Sequence, residues 1–224
     1  MLKSVRRPWA ILALLGALIA VLLSKSSSTG DDHELYNHAQ GRNNTVLFLV
    51  NSNYGFSNVH LATAYALMEK YPEVKLHFAS HERTGPRLER VEKAGMAANP
   101  DAQPIPLHLL PAKDYEVALH ESVFELMGAD IVIPPGLPGV LFQAEKLWRI
   151  LAPWAPEDHL AIYRRSRELI DEIDPALVVL DPMFKPAIEA ARDANRLQTV
   201  VSPMTFEHFI FTQPWLKGLW KYPA

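Results

Sequence analysis

Residues 45–50 read TVLFLV, an unbroken apolar and β-branched run with no polar alternation. A strand of this kind is buried on both faces, which occurs almost only in parallel sheets covered by helices. The turn NSNYGFSN at 51–58 follows, with Gly55 inside it. A helix is then expected over 58–70, with Ser57 or Asn58 as N-cap and Pro72 just past its end. VKLHFA at 74–79 reads as a second strand, and 86–96 as a helix with Leu88, Val91 and Ala94 at helical spacing. IPLHLL at 105–110 reads as a third strand that Pro106 pushes to a sheet edge. Helices are expected over 115–126, 140–151 and 159–173, the last with Ile162, Ser166, Leu169 and Ile173 on one face and Pro175 as its stop. ALVVL at 176–180 is another buried strand and ends at Asp181. A helix over 186–196 and a strand TVVS at 199–202 complete the pattern. Strand and helix alternate, so the fold class is α/β: a parallel Rossmann-like sheet with helices on both faces.

Composition narrows the chemistry. The 224 residues are 49% hydrophobic and 21% charged, with 22 Lys+Arg against 25 Asp+Glu and a formal net charge of −3. This is an ordinary globular balance with no basic block, so no nucleic-acid partner is expected. The chain has no Cys, which excludes disulfides, thiolate metal sites and a Cys nucleophile.

The N-terminal segment has a different character. Lys3, Arg6 and Arg7 precede sixteen uncharged residues, PWAILALLGALIAVLL at 8–23. That run is short for a bilayer span and long for a signal-peptide core. Ser24-Lys25-Ser26 is a poor cleavage site, so an uncleaved membrane anchor over 1–23 is preferred to a cleaved signal. Positive charge concentrates before the span, which keeps the N-terminus cytosolic and sends the body to the lumenal side of a membrane such as the endoplasmic reticulum. Asn43-Asn44-Thr45 is an N-glycosylation triplet on that side, with Asn43 as the acceptor. Polar, non-periodic residues 24–44 read as a linker, which leaves 45–224 as the body.

In open parallel sheets, ligands collect at the carboxyl ends of the strands. Three places qualify: the turn from Asn51, Asp181, and Ser202 after the last strand. The first turn holds a single Gly and lacks the glycine spacing of a dinucleotide or P-loop site. Phe56, His60 and Thr63 share one helical face near this edge. His60 is the candidate general base, because His titrates nearest neutral pH, and Asp181 is the candidate carboxylate that orients it. The plainer alternatives are a helix-surface His60 and a turn-capping Asp181. His77 and His81 lie four residues apart on extended chain, too far to share one ion easily, and His108 has no evident partner. No metal site or cofactor is expected. Lys217, Trp220, Lys221 and Tyr222 are read as aromatic packing rather than a membrane-interface cluster.

TVLFLVN at 45–51, GFSNVHLATAYAL at 55–67, VKLHFAS at 74–80, DPALVVLDPMFKPAIEAARDANR at 174–196 and TVVSP at 199–203 occur in an order that resembles the N-terminal domain of UDP-dependent glycosyltransferases of the GT-B fold, fungal-type membrane-anchored members in particular. The resemblance runs from Thr45 to the C-terminus. It implies inverting transfer of a hexose from a UDP-sugar donor to a hydroxyl of a lipophilic acceptor, with Gly55, Phe56 and Asn58 in the substrate-binding turn. A His directly after the Gly of the first turn is the family base, and an Asp after a later strand supports it. Asp181 matches that Asp by its place. Phe56 stands where the family has its His, and His60 lies one helical turn further on.

The family's sugar-nucleotide motif belongs to a C-terminal domain, and the sequence ends about where the N-terminal domain does. The chain is therefore expected to be an acceptor-side half, inactive without a C-terminal domain or partner chain. The alternative is a non-catalytic membrane-anchoring subunit or pseudoenzyme of a split glycosyltransferase. A free-standing hydrolase finds no G-x-S-x-G support.

Overall fold

The computed structural model describes residues 41–124, 136–139, 141 and 152–204. Strands β1 (Arg42–Leu49), β2 (Lys75–Ser80), β3 (Leu107–Leu109), β4 (Pro175–Leu180) and β5 (Gln198–Val200) form one sheet in the order β3-β2-β1-β4-β5. Every neighbouring pair is parallel. The helices are α1 (Tyr54–Lys70), α2 (Gly85–Ala98), α3 (Tyr115–Leu119), α4 (Pro156–Ile173) and α5 (Lys185–Asp193). The α/β reading of the sequence therefore holds for the sheet and its helices.

The apolar run at 45–50 is central for the expected reason. Phe48 lies beside Phe78 of β2 and Val179 of β4, and Leu49 beside Ala79 and Leu180. Leu47, Phe48, Leu49 and Val50 have no exposed surface. Each such side chain contributes about 1.5–3 kcal/mol on burial. Phe48 and Val50 join Leu61 and Met68 of α1 and Leu88 of α2 in one core. Leu47 and Leu49 join Ile162 and Leu169 of α4 and Phe184 and Ala187 of α5 in the other. The sheet is thus covered on both faces. Gly95 lets α2 close on α1, since a Cβ there would sit 2.7 Å from Met68 Sδ.

Several boundaries differ from the sequence reading. Helix α1 starts at Tyr54, because Asn53 caps it: its side chain accepts from the N–H groups of Gly55 and Phe56 at 3.0 and 3.4 Å. Ser57 is not the cap and instead donates its hydroxyl to the Asn53 carbonyl at 2.6 Å. Strand β1 begins inside the expected linker, where Arg42 N–H donates to the Asp174 carbonyl at 2.7 Å. Its register shifts between Arg42 and Val46, and Asn44 takes a φ of 57°. Helix α4 starts at Pro156, whose ring suits the first turn. Pro106 leaves β3 short and at the sheet edge, in line with expectation.

No helix among the described residues is long and apolar enough to cross a membrane. The run at 8–23, all of the expected helix at 140–151 except residue 141, and the cluster from Lys217 to Tyr222 lie outside the described residues.

Candidate functional site

Strands β1 and β4 are neighbours, so their carboxyl ends deliver Asn51, Ser52 and Asp181 to one place, all three fully buried. Asp181 Oδ1 accepts the Met183 N–H at 2.8 Å, and Oδ2 faces the Asn51 N–H at 3.4 Å. Burial pushes its carboxyl up to about 7, and the two N–H groups resist that shift. Asp181 therefore exchanges a proton near neutrality. Tyr115 of α3 is raised to about 12, first by burial and then by the charge of Asp181.

His60 is buried as well, but the expected pairing with Asp181 is not made. Its Nδ1 lies 2.8 Å from the Phe56 carbonyl oxygen and its Nε2 lies 3.3 Å from that of Leu180. Both partners are acceptors, and a neutral imidazole has only one N–H to give. Burial nevertheless lowers its pKa and favours the neutral ring. Ser57, His60, Leu61, Ala64 and Met68 form the buried stripe of the helix. His60 thus ties α1 to the end of β4 and lacks a free nitrogen aimed at the carboxylate.

The other turn residues are spread over the start of α1. Gly55 and Asn58 are exposed, and Phe56 is half-buried. Asn58 Oδ1 accepts from Arg87 Nη1 at 3.3 Å. Asn43 is exposed at the start of β1, while Thr45 is buried and donates its hydroxyl to the Asn43 carbonyl at 3.4 Å. Beyond β5, the Ser202 hydroxyl accepts the Met204 N–H at 3.1 Å.

Arg87 of α2 is a site residue that sequence reasoning missed. It is 6% exposed. Its guanidinium donates to Ser57 Oγ at 2.7 Å and to the Ser52 carbonyl at 3.0 Å, and lies 4.1 Å from the Tyr54 ring centroid. Its Nε is buried without a partner. The available signal was the spacing of Arg87 and Arg90, which puts two guanidiniums on one face of the expected helix just after Arg83.

These arginines border a cavity of about 770 Å³ at the carboxyl ends of β2 and β3. Tyr54, Pro86 and Leu110 supply apolar wall, and His81 lies against it, 5% exposed. Burial lowers the His81 pKa, while Asp114 and the Pro111 carbonyl act the other way. Neither ring nitrogen of His81 makes a hydrogen bond of normal geometry. Arg83 is held by Asp114 at 3.7 Å and by Glu116.

His108 has a partner after all. Its Nε2 lies 3.0 Å from His77 Nδ1, with ring centroids 5.3 Å apart and nearly parallel. Adjacent strands β2 and β3 bring the two together, a pairing that residue spacing alone does not show. Burial lowers both pKa values, and nearby cations (Arg42 and Lys75 for His77, Arg165 for His108) lower them further. Among the described residues, no three His, Asp or Glu side chains are grouped to hold a metal ion.

No protein-family model matches the chain. The chain is 32% identical over 185 residues to the glycosyltransferase sdnJ of Sordaria araneosa, which covers 80% of this chain and 36% of that protein. A solved structure, the calicheamicin glycosyltransferase CalG4, aligns with 81% of this chain and 36% of its own, at 18% identity and a TM-score of 0.44. Most of this chain is therefore similar in sequence to a glycosyltransferase, and it spans about a third of that relative's length.

Proposed function

We propose that the chain is the acceptor-side, N-terminal part of a UDP-dependent glycosyltransferase of the GT-B type, moving a hexose to a hydroxyl of a lipophilic acceptor. The similarity to a glycosyltransferase over 80% of the chain is the observation that carries this reading. In the transfer, the acceptor oxygen bonds to the anomeric carbon, the bond to the diphosphate breaks, UDP leaves, and the hydroxyl proton passes to a base. Asp181 is the group suited to that proton, because its carboxyl titrates near 7 at the carboxyl edge of the sheet. His60 acts by position, fixing α1 against β4. Gly55, Phe56 and Asn58 belong to the acceptor side of the cleft. The donor is assigned to a further domain or partner chain, and 1–23 to an anchor that places the body in a lumen.

A second reading, a non-catalytic anchoring subunit or pseudoenzyme, gains from one observation. Both His60 nitrogens face main-chain carbonyls, and Phe56 occupies the place of the family base. The test of the first reading is an assay with radiolabelled UDP-sugars, on the 224-residue chain alone and on the tagged chain purified with its native membrane partners. Transfer by the second preparation and none by the first is expected. Turnover by the chain alone overturns the division of labour, and no transfer by either overturns the transferase reading.

A further inference from the structure

The cavity between α1, α2 and the ends of β2 and β3 is lined by three guanidiniums, of Arg83, Arg87 and Arg90, against two carboxylates, of Glu82 and Asp114. Of its three guanidiniums, only Arg83 has carboxylate partners. Arg87 and Arg90 are in no ion pair among the described residues, and burial, with Arg83 and Arg90 close by, lowers the Arg87 pKa against the pull of Tyr54. A buried guanidinium without a counter-charge is costly, and here hydroxyl, carbonyl and ring contacts hold it. Those contacts use Nη1 and Nη2 and leave Nε open. The second independent feature is His81, buried against the same cavity, whose ring nitrogens make no hydrogen bond of normal geometry although the Pro111 carbonyl lies near. Glu82 lines the cavity too, but it is exposed and does not pair with Arg87 or Arg90.

We propose that this cavity binds an acceptor with an apolar skeleton and one anionic group, a carboxylate or a phosphate, held by Arg87 and Arg90 with His81 beneath it; the word acceptor rests on the transferase reading. About 770 Å³ is the size of a pocket for a drug-sized molecule. Tyr54, Pro86 and Leu110 face the skeleton. Guanidiniums give the anion charge-assisted hydrogen bonds, which a neutral molecule of the same shape does not receive.

Calorimetric titration of the 224-residue chain tests this with three probes of one shape: 1-naphthoate, 1-naphthyl phosphate and 1-naphthalenemethanol. At least one anion is expected to bind about tenfold or more tightly than the alcohol, as a charge-assisted hydrogen bond warrants. The tighter anion names the class. Arg90 is exposed, so Arg90→Gln keeps the fold, and it is expected to weaken the anion about tenfold while leaving the alcohol unchanged. Equal binding of alcohol and anions, no saturable binding of either anion, or anion binding indifferent to Arg90→Gln overturns the proposal. The readout needs no sugar transfer. Anion-selective binding by the chain, when the preparation purified with its native partners also transfers nothing, sustains the pocket and removes the transferase reading instead.

Discussion

Asn51 and Asp181 follow the carboxyl ends of adjacent parallel strands, and the main-chain N–H of Asn51 faces Asp181 Oδ2 across 3.4 Å. A contact that long solvates the carboxylate poorly, so burial dominates and the carboxyl rises to about 7. The same loop carries the Ser52 carbonyl that Arg87 holds at 3.0 Å. The carboxylate and the cationic cavity are therefore joined through two consecutive residues of one turn.

The raised Asp181 pKa fixes a pH dependence. Unfolded, the group titrates near its ordinary value of 3.8, and folded at about 7. The folded state holds the extra proton between those values, so this stabilising contribution is complete below about 4 and lost as pH rises through 7. Asp181→Asn resembles the protonated form and removes the term. Urea unfolding is expected to show the variant gaining on wild type by on the order of a few kcal/mol between pH 5 and pH 8. A difference that does not change with pH contradicts the assignment.

Histidines act in the opposite sense. His60, His77, His81 and His108 all have folded pKa values below 6.5, so their contribution is present above about 6.5 and lost as pH falls. For His77, burial leads and the His108 ring adds to the shift. His108→Ala should expose His77 and move its NMR titration up towards the ordinary value. An unmoved His77 midpoint refutes the coupling between strands β2 and β3.

Gly41 precedes β1, where a Cβ would lie 2.0 Å from the Pro175 carbonyl oxygen. Main chain cannot move aside as a flexible side chain does. Gly41→Ala is expected to cost about 1–3 kcal/mol by chemical denaturation, with β1 pushed from β4 at its start. A neutral substitution shows that this end of the strand is not fixed against β4.

Asn43 is exposed, and the proposed anchoring by 1–23 would place it in a lumen. Protein expressed in a eukaryotic secretory system should stay in the pellet on carbonate extraction and shift in mobility on glycosidase digestion. Asn43→Gln should abolish the shift. Release into the soluble fraction, or a mature N-terminus near Ser27, excludes the anchor.

The sheet was legible because period and burial agree along the chain. An unbroken apolar run at 45–50 and ALVVL at 176–180 read as interior strands, and Pro106 marked an edge. Asp181 was legible for the same reason, since any residue directly after a buried parallel strand reaches the ligand edge. The surroundings of His60 were not legible, because they depend on a neighbouring strand: its Nε2 meets the carbonyl of Leu180 in β4, 120 positions away. His77 with His108, and Arg87 with Ser52, join residues about thirty positions apart. Such contacts are set by strand order and helix packing, which residue spacing alone does not determine.

The most direct test is the turnover of Asp181→Asn beside that of His60→Gln, each in the tagged chain purified with its membrane partners and supplied with UDP-sugar and acceptor. A base at Asp181 is expected to make the first substitution cost about 10²–10⁴-fold in kcat. The second should act mainly on stability, because both His60 ring nitrogens face main-chain carbonyls. Normal turnover by Asp181→Asn would contradict the assignment of the carboxylate.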